Sequence, residues 1–517
     1  MNFEITFVLL ALAGMVTALI WDKMRPGMVL FSVVVLFLCA GILTPREMLE
    51  GFSNKGMITV AMLFLVSEGI RQSGTLAQLF KKLLPKGKTT VAKSQIRLLP
   101  VLTGMSAFLN NTPMVVIFAP IIKRWAESVH LPATKFLIPL TFAVSLGGIC
   151  TLIGTSTNLV VNGMIMEAGY EGLSMFEIAK IGVPVAIAGI LFLILFSNKL
   201  LPESRADRDD ESIGKDEKEG LHTIEAVLGP RFPGINKRLG EFDFIRHYGA
   251  IVKEVKTSGR YVTTNLDDVI LREGDTLVLW ADDSFIPTWG ESRVFLTLAN
   301  GKEEGTPISN KKRWLALGLF LFMITGATIG ELPVVKETWP NIKLDMFFFV
   351  CITTVIMAWT KIFPARKYTK YISWDILITI ACAFAISKAI ENSGLASVVA
   401  KFIIDMSATT GAYTLLAMTF IITVLFSQII TNNAAAALSF PVALSVATQL
   451  GVNPMPFFMV TCVAASTSFC TPICYQTNMI VQGLGGYSFM DFVKIGLPLT
   501  IIVFLTTIFL TPLIWPF

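Results

Sequence analysis

Long apolar runs alternate with short polar loops along most of the chain. A membrane-spanning helix needs about 20 consecutive, mainly apolar residues, and ten runs meet or approach that length. They are residues 3–22, 27–45, 56–70, 136–165, 178–200, 314–331, 344–360, 373–390, 456–482 and 492–516. This pattern predicts an all-α polytopic membrane protein with five spans on either side of a polar middle region.

Two further apolar stretches, 98–122 and 412–447, are interrupted halfway by polar residues. The interruptions are Asn110-Asn111-Thr112 and Thr431-Asn432-Asn433. Each stretch is predicted to be a re-entrant helical hairpin, because irregular backbone at membrane depth is tolerated only where it lines a cavity or is buried in protein. In the first hairpin Thr112 is expected to cap a new helix, with Pro113 in its first turn, where a missing N–H is no loss.

The two sides of the chain repeat each other. Cys150-Thr151 recurs as Cys470-Thr471, and Thr157-Asn158 as Thr477-Asn478, at an offset of 320 (470 − 150 and 477 − 157). The Lys-Ile-Gly-x-Pro motif at 180–184 returns at 494–498. Because five spans is an odd number, the second copy begins on the opposite side of the membrane. The chain is therefore predicted to hold two inverted repeats of five spans, each with a re-entrant hairpin.

Composition and charge divide the chain into three regions. Of 517 residues, 53% are hydrophobic and 15% are charged. Thirty-eight of the 79 charged residues (42 basic plus 37 acidic) lie between Glu203 and Arg313. These numbers predict membrane repeat 1 at 1–202, a water-facing insert at 203–313 and membrane repeat 2 at 314–517. The seven cysteines lie in apolar segments without a CxxC pair and are expected to be small buried hydrophobes.

Basic residues give the orientation, since short cytoplasmic loops are enriched in Lys and Arg. With the N-terminus outside, the inner loops and inner helix ends hold eighteen Lys and Arg residues, ten of them at 81–97, 123–124 and 366–367, and the outer ones hold six. The protein is then expected in the cell inner (plasma) membrane as a multi-pass protein with a cytoplasmic insert. The first hairpin enters from inside and the second from outside.

The polar breaks carry the candidate chemistry. Gly154-Thr155-Ser156-Thr157-Asn158 interrupts the fourth span, and Gln476-Thr477-Asn478 repeats this break in the second half. Helix N-termini present free N–H groups and partial positive charge, while unwound carbonyls face the same space. No Lys or Arg lies near these breaks in the sequence, so the pattern favours an anion bound beside small cations. The alternative is that these residues only form hydrogen bonds between helices.

Charged residues within the spans are few. Glu68 and Lys388 occupy equivalent places, 320 apart (388 − 68), and could form a pair or relay protons. The alternative is that each lies near a helix end, Glu68 beside Arg71 and Lys388 before Glu391, and extends to water.

The two tips resemble those of the divalent anion/sodium symporters of the ion transporter superfamily, which carry a Ser-Asn-Thr signature at each hairpin. Both halves keep the central Asn and differ at the flanking positions. The resemblance implies two sodium sites, formed by Ser106, Asn110, Asn111 and Gly154 in the first half and by Ser427, Asn432 and Cys474 in the second. It implies a substrate site formed by Asn111, Thr112, Ser156, Thr157, Asn432, Asn433, Gln476 and Thr477.

The same resemblance implies function and assembly. It implies a homodimeric secondary transporter, not an enzyme, that couples sodium to a small divalent anion by elevator-type alternating access. Sulfate is favoured over a dicarboxylate. Residues 221–299 resemble a TrkA-C (RCK-C) regulatory module after a linker at 203–220, with alternating apolar strands at 250–255 and 274–279. A small regulatory ligand is possible for such an α+β domain, and no nucleic-acid partner is expected.

The sequence also bears on three other functions. A potassium channel needs a Thr-Val-Gly-Tyr-Gly filter, and the nearest fragment is Gly485-Gly486-Tyr487 in a predicted inner loop. The sequence contains no HExxH, GxSxG or complete P-loop motif, which argues against a membrane enzyme. A sodium/proton antiporter or an arsenite-type exporter of the same superfamily stays open, and would depend on Glu68 or Lys388.

Overall fold

The computed structural model describes residues 3–21, 24–75, 80, 82–85, 87, 89–203, 222–229, 231–257, 260–282, 285–289, 294–300, 310–330, 332–338, 343–406, 411–472 and 475–517. Helices before the insert are α1 (Phe3–Trp21), α2 (Pro26–Cys39), α3 (Pro45–Glu50), α4 (Lys55–Ser73), α5 (Val91–Ser106), α6 (Asn111–Ser128), α7 (Thr134–Gly148), α8 (Ser156–Glu167) and α9 (Ala179–Leu200). The insert contributes α10 (Phe244–Tyr248) and α11 (Phe285–Trp289). After it come α12 (Asn310–Gly330), α13 (Pro333–Thr338), α14 (Met346–Trp359), α15 (Tyr368–Tyr371), α16 (Trp374–Asn392), α17 (Leu395–Met406), α18 (Gly411–Ile429), α19 (Asn432–Leu450), α20 (Met455–Ala465), α21 (Gln476–Gly485) and α22 (Phe489–Ile514).

The helices follow the predicted apolar runs closely, and the protein is a mainly helical, multi-pass membrane protein. Within the described residues, six helices have the length and apolar character of a complete membrane span, or seven if the bent pair α16 and α17 counts as one. Others are shorter, such as α2 and α14, or are separated by a break, such as α7 from α8 and α20 from α21. The bend of 70° between α16 and α17 follows Gly394, which has a φ of +76° that favours glycine.

The helices form two groups. The central group contains α5–α9 and α18–α22, and the flanking group contains α1–α4 and α12–α17. In both groups, helices of the first half pack on helices of the second half. In the flanking group α2 packs on α16 and α14 packs on α4, while in the central group α21 packs on α6 and α19 packs on α8. Neither half therefore completes its packing without the other.

The repeated Lys-Ile-Gly-x-Pro motif has a packing reason. A Cβ on Gly182 of α9 would lie 2.2 Å from the carbonyl oxygen of Ile149, at the start of the first break. A Cβ on Gly496 of α22 would lie 2.2 Å from the carbonyl oxygen of Phe469 in the second break. Only glycine allows helix and break to approach this closely, so α9 and α22 support the two breaks from behind.

The insert contains an antiparallel sheet of five strands in the order β3-β2-β4-β1-β5. The strands are β1 (His222–Leu228), β2 (Ile251–Thr257), β3 (Arg260–Val262), β4 (Thr276–Ala281) and β5 (Phe295–Asn300). The predicted strands at 250–255 and 274–279 correspond to β2 and β4. One face of the sheet buries its own apolar core, including Phe232, Val255 and Leu277.

Candidate substrate and cation site

The helices α6 and α19 begin at the two polar tips. The side chain of Asn110 caps α6 by accepting a hydrogen bond of 3.4 Å from the amide of Thr112. Thr431 caps α19 by accepting one of 3.4 Å from the amide of Ala434. The expectation that Thr112 caps the first helix was wrong, because α6 begins at Asn111, two residues earlier than that cap requires, and Thr112 lies inside its first turn. Pro113 does lie in that turn, as expected.

The two breaks are held open by one equivalent pair of asparagines. Nδ2 of Asn158 donates to the carbonyl oxygens of Gly148 (3.2 Å) and Thr151 (2.9 Å). Nδ2 of Asn478 donates to those of Ser468 (2.8 Å) and Thr471 (3.1 Å). Both asparagines are fully buried. Each satisfies two carbonyls that the interrupted helix leaves without intrahelical partners, which explains the repeated Thr-Asn sequence.

Each tip faces the break of the other half. Nδ2 of Asn111 donates to the hydroxyl of Tyr475, just before α21, at 2.7 Å. Oδ1 of Asn433 accepts hydrogen bonds from Ser156 (3.2 Å) and Thr157 (3.3 Å) at the start of α8. Together with the contact of each tip with its own break, these bonds close a circle of four helix starts. We call this circle the site ring: the N-terminal turns of α6, α8, α19 and α21 with the two breaks.

Oxygen atoms converge on the first side of the ring. The hydroxyl of Ser106 lies 2.8 Å from Oδ1 of Asn111 and 2.8 Å from the carbonyl oxygen of Val144, and it can donate its one proton to either of them. Gly154 lies beside them, since a Cβ there would be 2.5 Å from the carbonyl oxygen of Gly148 and 3.0 Å from that of Ala107. Hydroxyl, amide and carbonyl oxygens are the ligands with which unwound transporter helices bind sodium.

The second side uses a different hydroxyl. Ser468 donates to Oδ1 of Asn432 at 2.6 Å. Ser427, the counterpart of Ser106, instead donates within its own helix to the carbonyl oxygen of Val424 at 2.9 Å. Gln428 also braces this break, with Nε2 2.7 Å from the carbonyl oxygen of Thr467 and Oε1 accepting from the amide of Cys470 at 3.2 Å.

The structure brings most predicted site residues into the ring. Those in or beside it are Ser106, Asn110, Asn111, Thr112, Gly154, Ser156, Thr157, Asn432, Asn433, Gln476 and Thr477. Ser427 is buried on the adjoining α18. Cys474 lies outside the described residues. Sequence reasoning missed Tyr475, Ser468, Gln428 and Gly148, and only Tyr475 had a signal, as the residue that precedes the Gln-Thr-Asn break.

The ring owes its electrostatics to backbone. None of the ring side chains named above is charged, and each of the four helix N-termini carries about half a positive charge. Glu68 and Lys388 lie elsewhere, in the flanking group. Glu68 bonds to Arg71 (2.6 and 2.8 Å) and to Gln72 (2.6 Å), and Lys388 to Glu391 (3.0 Å). Each is thus paired within its own helix.

The fold and ring together define a multi-pass membrane transporter. The crystal structure of the Alcanivorax borkumensis YdaH transporter has the same overall fold, with a TM-score of 0.55 over 96% of this chain and 98% of that one, at 11% identity. The model of the citrate transporter family (CitMHS) matches residues 16–341 and 337–516, and the chain belongs to this family.

Two relatives add to this assignment. The uncharacterised transporter sll0640 of Synechocystis is 29% identical over 99% of this chain and 97% of its own length. Sodium/sulfate cotransporter 1 of Chlamydomonas reinhardtii is 32% identical over 58% of this chain and 33% of its own. The relatives support a secondary anion transporter of the divalent anion/sodium symporter type, in agreement with the resemblance of the tips.

Proposed function

We propose that the chain is a sodium-coupled symporter of a small divalent anion, with sulfate the favoured substrate and a dicarboxylate the next. The observation that carries this proposal is the site ring: four helix N-termini are joined by hydrogen bonds between uncharged polar side chains, without a charged side chain among the ring residues named above. Helix N-termini favour an anion, and a divalent anion bound there needs cations beside it. The similarity to a sodium/sulfate cotransporter supports the same choice.

The cation sites are proposed on the two sides of the ring. Ser106, Asn110, Asn111 and Gly154 form the first. For the second we propose Asn432 with Ser427 and Cys474, and we add Ser468, because its hydroxyl contacts Asn432 directly. The anion lies between them, against Thr112, Ser156, Thr157, Asn433, Gln476 and Thr477. In this arrangement the sodium ions offset the anion's charge and so make its binding depend on sodium.

We propose an elevator-type mechanism in which the central group moves against the flanking group. The contact pattern supports relative motion, because it is unequal in the two halves. The second tip helix α19 packs closely on α16, whereas its counterpart α6 has few contacts with α4 and packs instead on Phe80 and Pro85. Two inverted repeats can exchange these contacts, so that the opposite state packs α6 on the flanking group. The two repeats are taken as 1–202 and 314–517.

We also propose the remaining assignments, the orientation from the basic residues of the short loops and the others from the family resemblance. The insert, 203–313, is cytoplasmic and carries an RCK-C-like regulatory domain with its core at 221–299, the protein lies in the inner (plasma) membrane, and two copies form a homodimer.

Uptake into proteoliposomes tests the proposal. Purified protein is reconstituted, and labelled sulfate and succinate are offered under inward gradients of sodium, potassium or protons. We expect accumulation of sulfate, and less of succinate, under the sodium gradient alone. Glu68→Gln should transport normally, since its carboxylate is paired with Arg71 away from the ring. Accumulation of neither anion under sodium would contradict the proposal, and loss of transport in Glu68→Gln would favour the antiporter alternative.

A further inference from the structure

The insert is joined to the membrane part by a buried ion cluster. Glu225 on β1 accepts hydrogen bonds from Lys123 on α6 (3.0 and 2.8 Å) and from Lys256 on β2 (2.8 Å). The three side chains are 20%, 14% and 7% exposed, in that order. Charges removed from water to this degree are retained only when paired. The insert therefore supplies Lys123 with a largely buried carboxylate partner.

A second contact joins the insert to the other half of the chain. A Cβ on Gly483 of α21 would lie 2.5 Å from the carbonyl oxygen of Gly274 and 2.6 Å from the hydroxyl of Thr276, both at the start of β4. Gly274 has a φ of +85°, and a Cβ on it would lie 3.4 Å from the Cβ of Met479 on α21. Val227 of β1 belongs to the same buried apolar cluster as the membrane helices. Here the backbones of insert and helix touch without intervening side chains.

Both contacts lie on helices that begin at the site ring. At 1.5 Å per residue, Lys123 is about 18 Å along α6 from Asn111, and Gly483 about 12 Å along α21 from Tyr475. At their starts the two helices are joined by the bond between Asn111 and Tyr475. At their far ends the same sheet contacts both of them. One helix comes from each half of the chain.

We propose that the insert is a regulatory clamp that holds α6 and α21 together and so sets the geometry of the site ring from a distance. The docking contact, as we call it, consists of Lys123, Glu225, Lys256, Gly274 and Gly483. A ligand or partner that shifts the sheet acts on the tip of the first half and the break of the second at once. This coupling is independent of which anion the protein carries.

Hydrogen exchange of the full-length protein in lipid nanodiscs tests the clamp without any substrate. Lys123→Met removes the membrane-side partner and leaves the insert's own residues unchanged, while Glu225→Gln removes the insert-side partner. We expect at least tenfold faster exchange in peptides covering 111–122 and 476–485 for both variants. Asp268→Asn is the matched control, because its ion pair with Arg238 is 3.3 Å long, lies within the insert and is 77% and 58% exposed. It should leave both helices unchanged.

Two outcomes would overturn the proposal. In the first, Lys123→Met accelerates exchange at residues 222–300 alone and leaves α21 as in the wild type, so that the sheet does not connect the two helices. In the second, neither variant changes α6 or α21. Glu225→Gln can unfold the insert on its own, and Lys123→Met is therefore the deciding variant. Failure of sodium-driven uptake would contradict the proposed function but leave this test unaffected.

Discussion

The two sides of the site ring share one framework but differ in the hydroxyl group that bonds to the tip asparagine, which we call the lock. In both halves a buried asparagine, Asn158 or Asn478, holds two carbonyls of the break at matching positions. The hydroxyl that bonds to the tip asparagine comes in the first half from Ser106, at the end of the preceding helix α5, and in the second half from Ser468, in the break. The framework is thus equivalent in the two halves, whereas the cation sites differ in detail.

Gly148 explains why the lock lies on different elements in the two halves. Gly148 is the counterpart of Ser468 (468 − 320), and a Cβ there would lie 2.9 Å from Oδ1 of Asn111. The first half has no room for a serine in its break, so its hydroxyl must come from Ser106. The comparison teaches that a duplicated site can keep its geometry while the residue that supplies one interaction moves to the opposite element.

The largest effect is expected from removing the shared framework. Asn478→Ala and Asn158→Ala each leave two buried carbonyls without their partner, at about 1–3 kcal/mol per group. Asn478 also accepts a hydrogen bond from Thr141 at 3.0 Å, whereas Oδ1 of Asn158 has no partner among the described residues. We therefore expect both variants to lose transport at least tenfold, and Asn478→Ala to unfold at the lower temperature. Thermal unfolding in detergent checks this order, with the exposed Asn453→Ala as control. The reverse order would contradict the account of the breaks.

A smaller effect is expected from variants that disturb the lock of one half. In Gly148→Ala the new methyl group displaces the side chain of Asn111, which is held by Ser106 and Tyr475, and we expect about tenfold weaker sodium activation. Ser468→Ala loses one hydrogen bond, worth about 1 kcal/mol, and we expect about fivefold weaker sodium activation. The sodium dependence of uptake measures both. Ser445→Ala, on the same helix as Asn432, is the control, and an equal effect of this variant would show that the measured change is not specific to the tip.

A comparison of Ser106 on α5 with Ser427 on α18 distinguishes the two cation sites further. Ser106→Ala removes the hydrogen bond to Asn111, and about fivefold weaker sodium activation is expected. Ser427→Ala removes a bond within its own helix and one proposed ligand of the second cation site, and about twofold weaker sodium activation is expected, because Ser468 still contacts Asn432. Equal losses in sodium titrations of the two variants would mean that Ser427 is the functional counterpart of Ser106 after all, as the resemblance alone implies.

The smallest effect is expected from pH, because the ring residues named above do not titrate near neutrality. The docking contact does contain an acid. Burial alone would raise the pKa of Glu225, but the charges and hydrogen bonds of Lys123 and Lys256 outweigh it and lower the pKa from 4.5 to about 2. A lowered pKa means that the contact is fully stabilised above pH 4.5 and weakens as pH falls towards 2. Hydrogen exchange of α6 should be constant, after correction for intrinsic rates, between pH 8 and about 5. A change within that range would contradict this role of Glu225.

The sequence predicted the helices well because lipid imposes a simple requirement on them. The run predicted at 178–200 is a helix from Ala179 to Leu200. The two breaks lie a few residues earlier than predicted, because residues 156–158 and 476–478 form the first turns of α8 and α21. The helix α17 was not predicted, since it is amphipathic and turns away from α16 by 70°.

The exchanged lock was beyond sequence comparison for a different reason. Matching the halves at an offset of 320 pairs Gly148 with Ser468, and this pair differs in the sequence even though both residues contact a tip asparagine. The docking contact was also missed, because Lys123 was counted only as a basic residue of an inner loop. Its partner Glu225 is 102 residues away, and only the folded sheet brings the two together.

The central claim is that both tips form one sodium-dependent anion site. The most direct measurement is calorimetric titration of purified wild type, Asn111→Ala and Asn432→Ala with sulfate, and with succinate, in sodium and in choline. The account predicts that the wild type binds an anion only in sodium and that each variant weakens binding at least tenfold. Equal binding in choline, or wild-type binding by both variants, would contradict it.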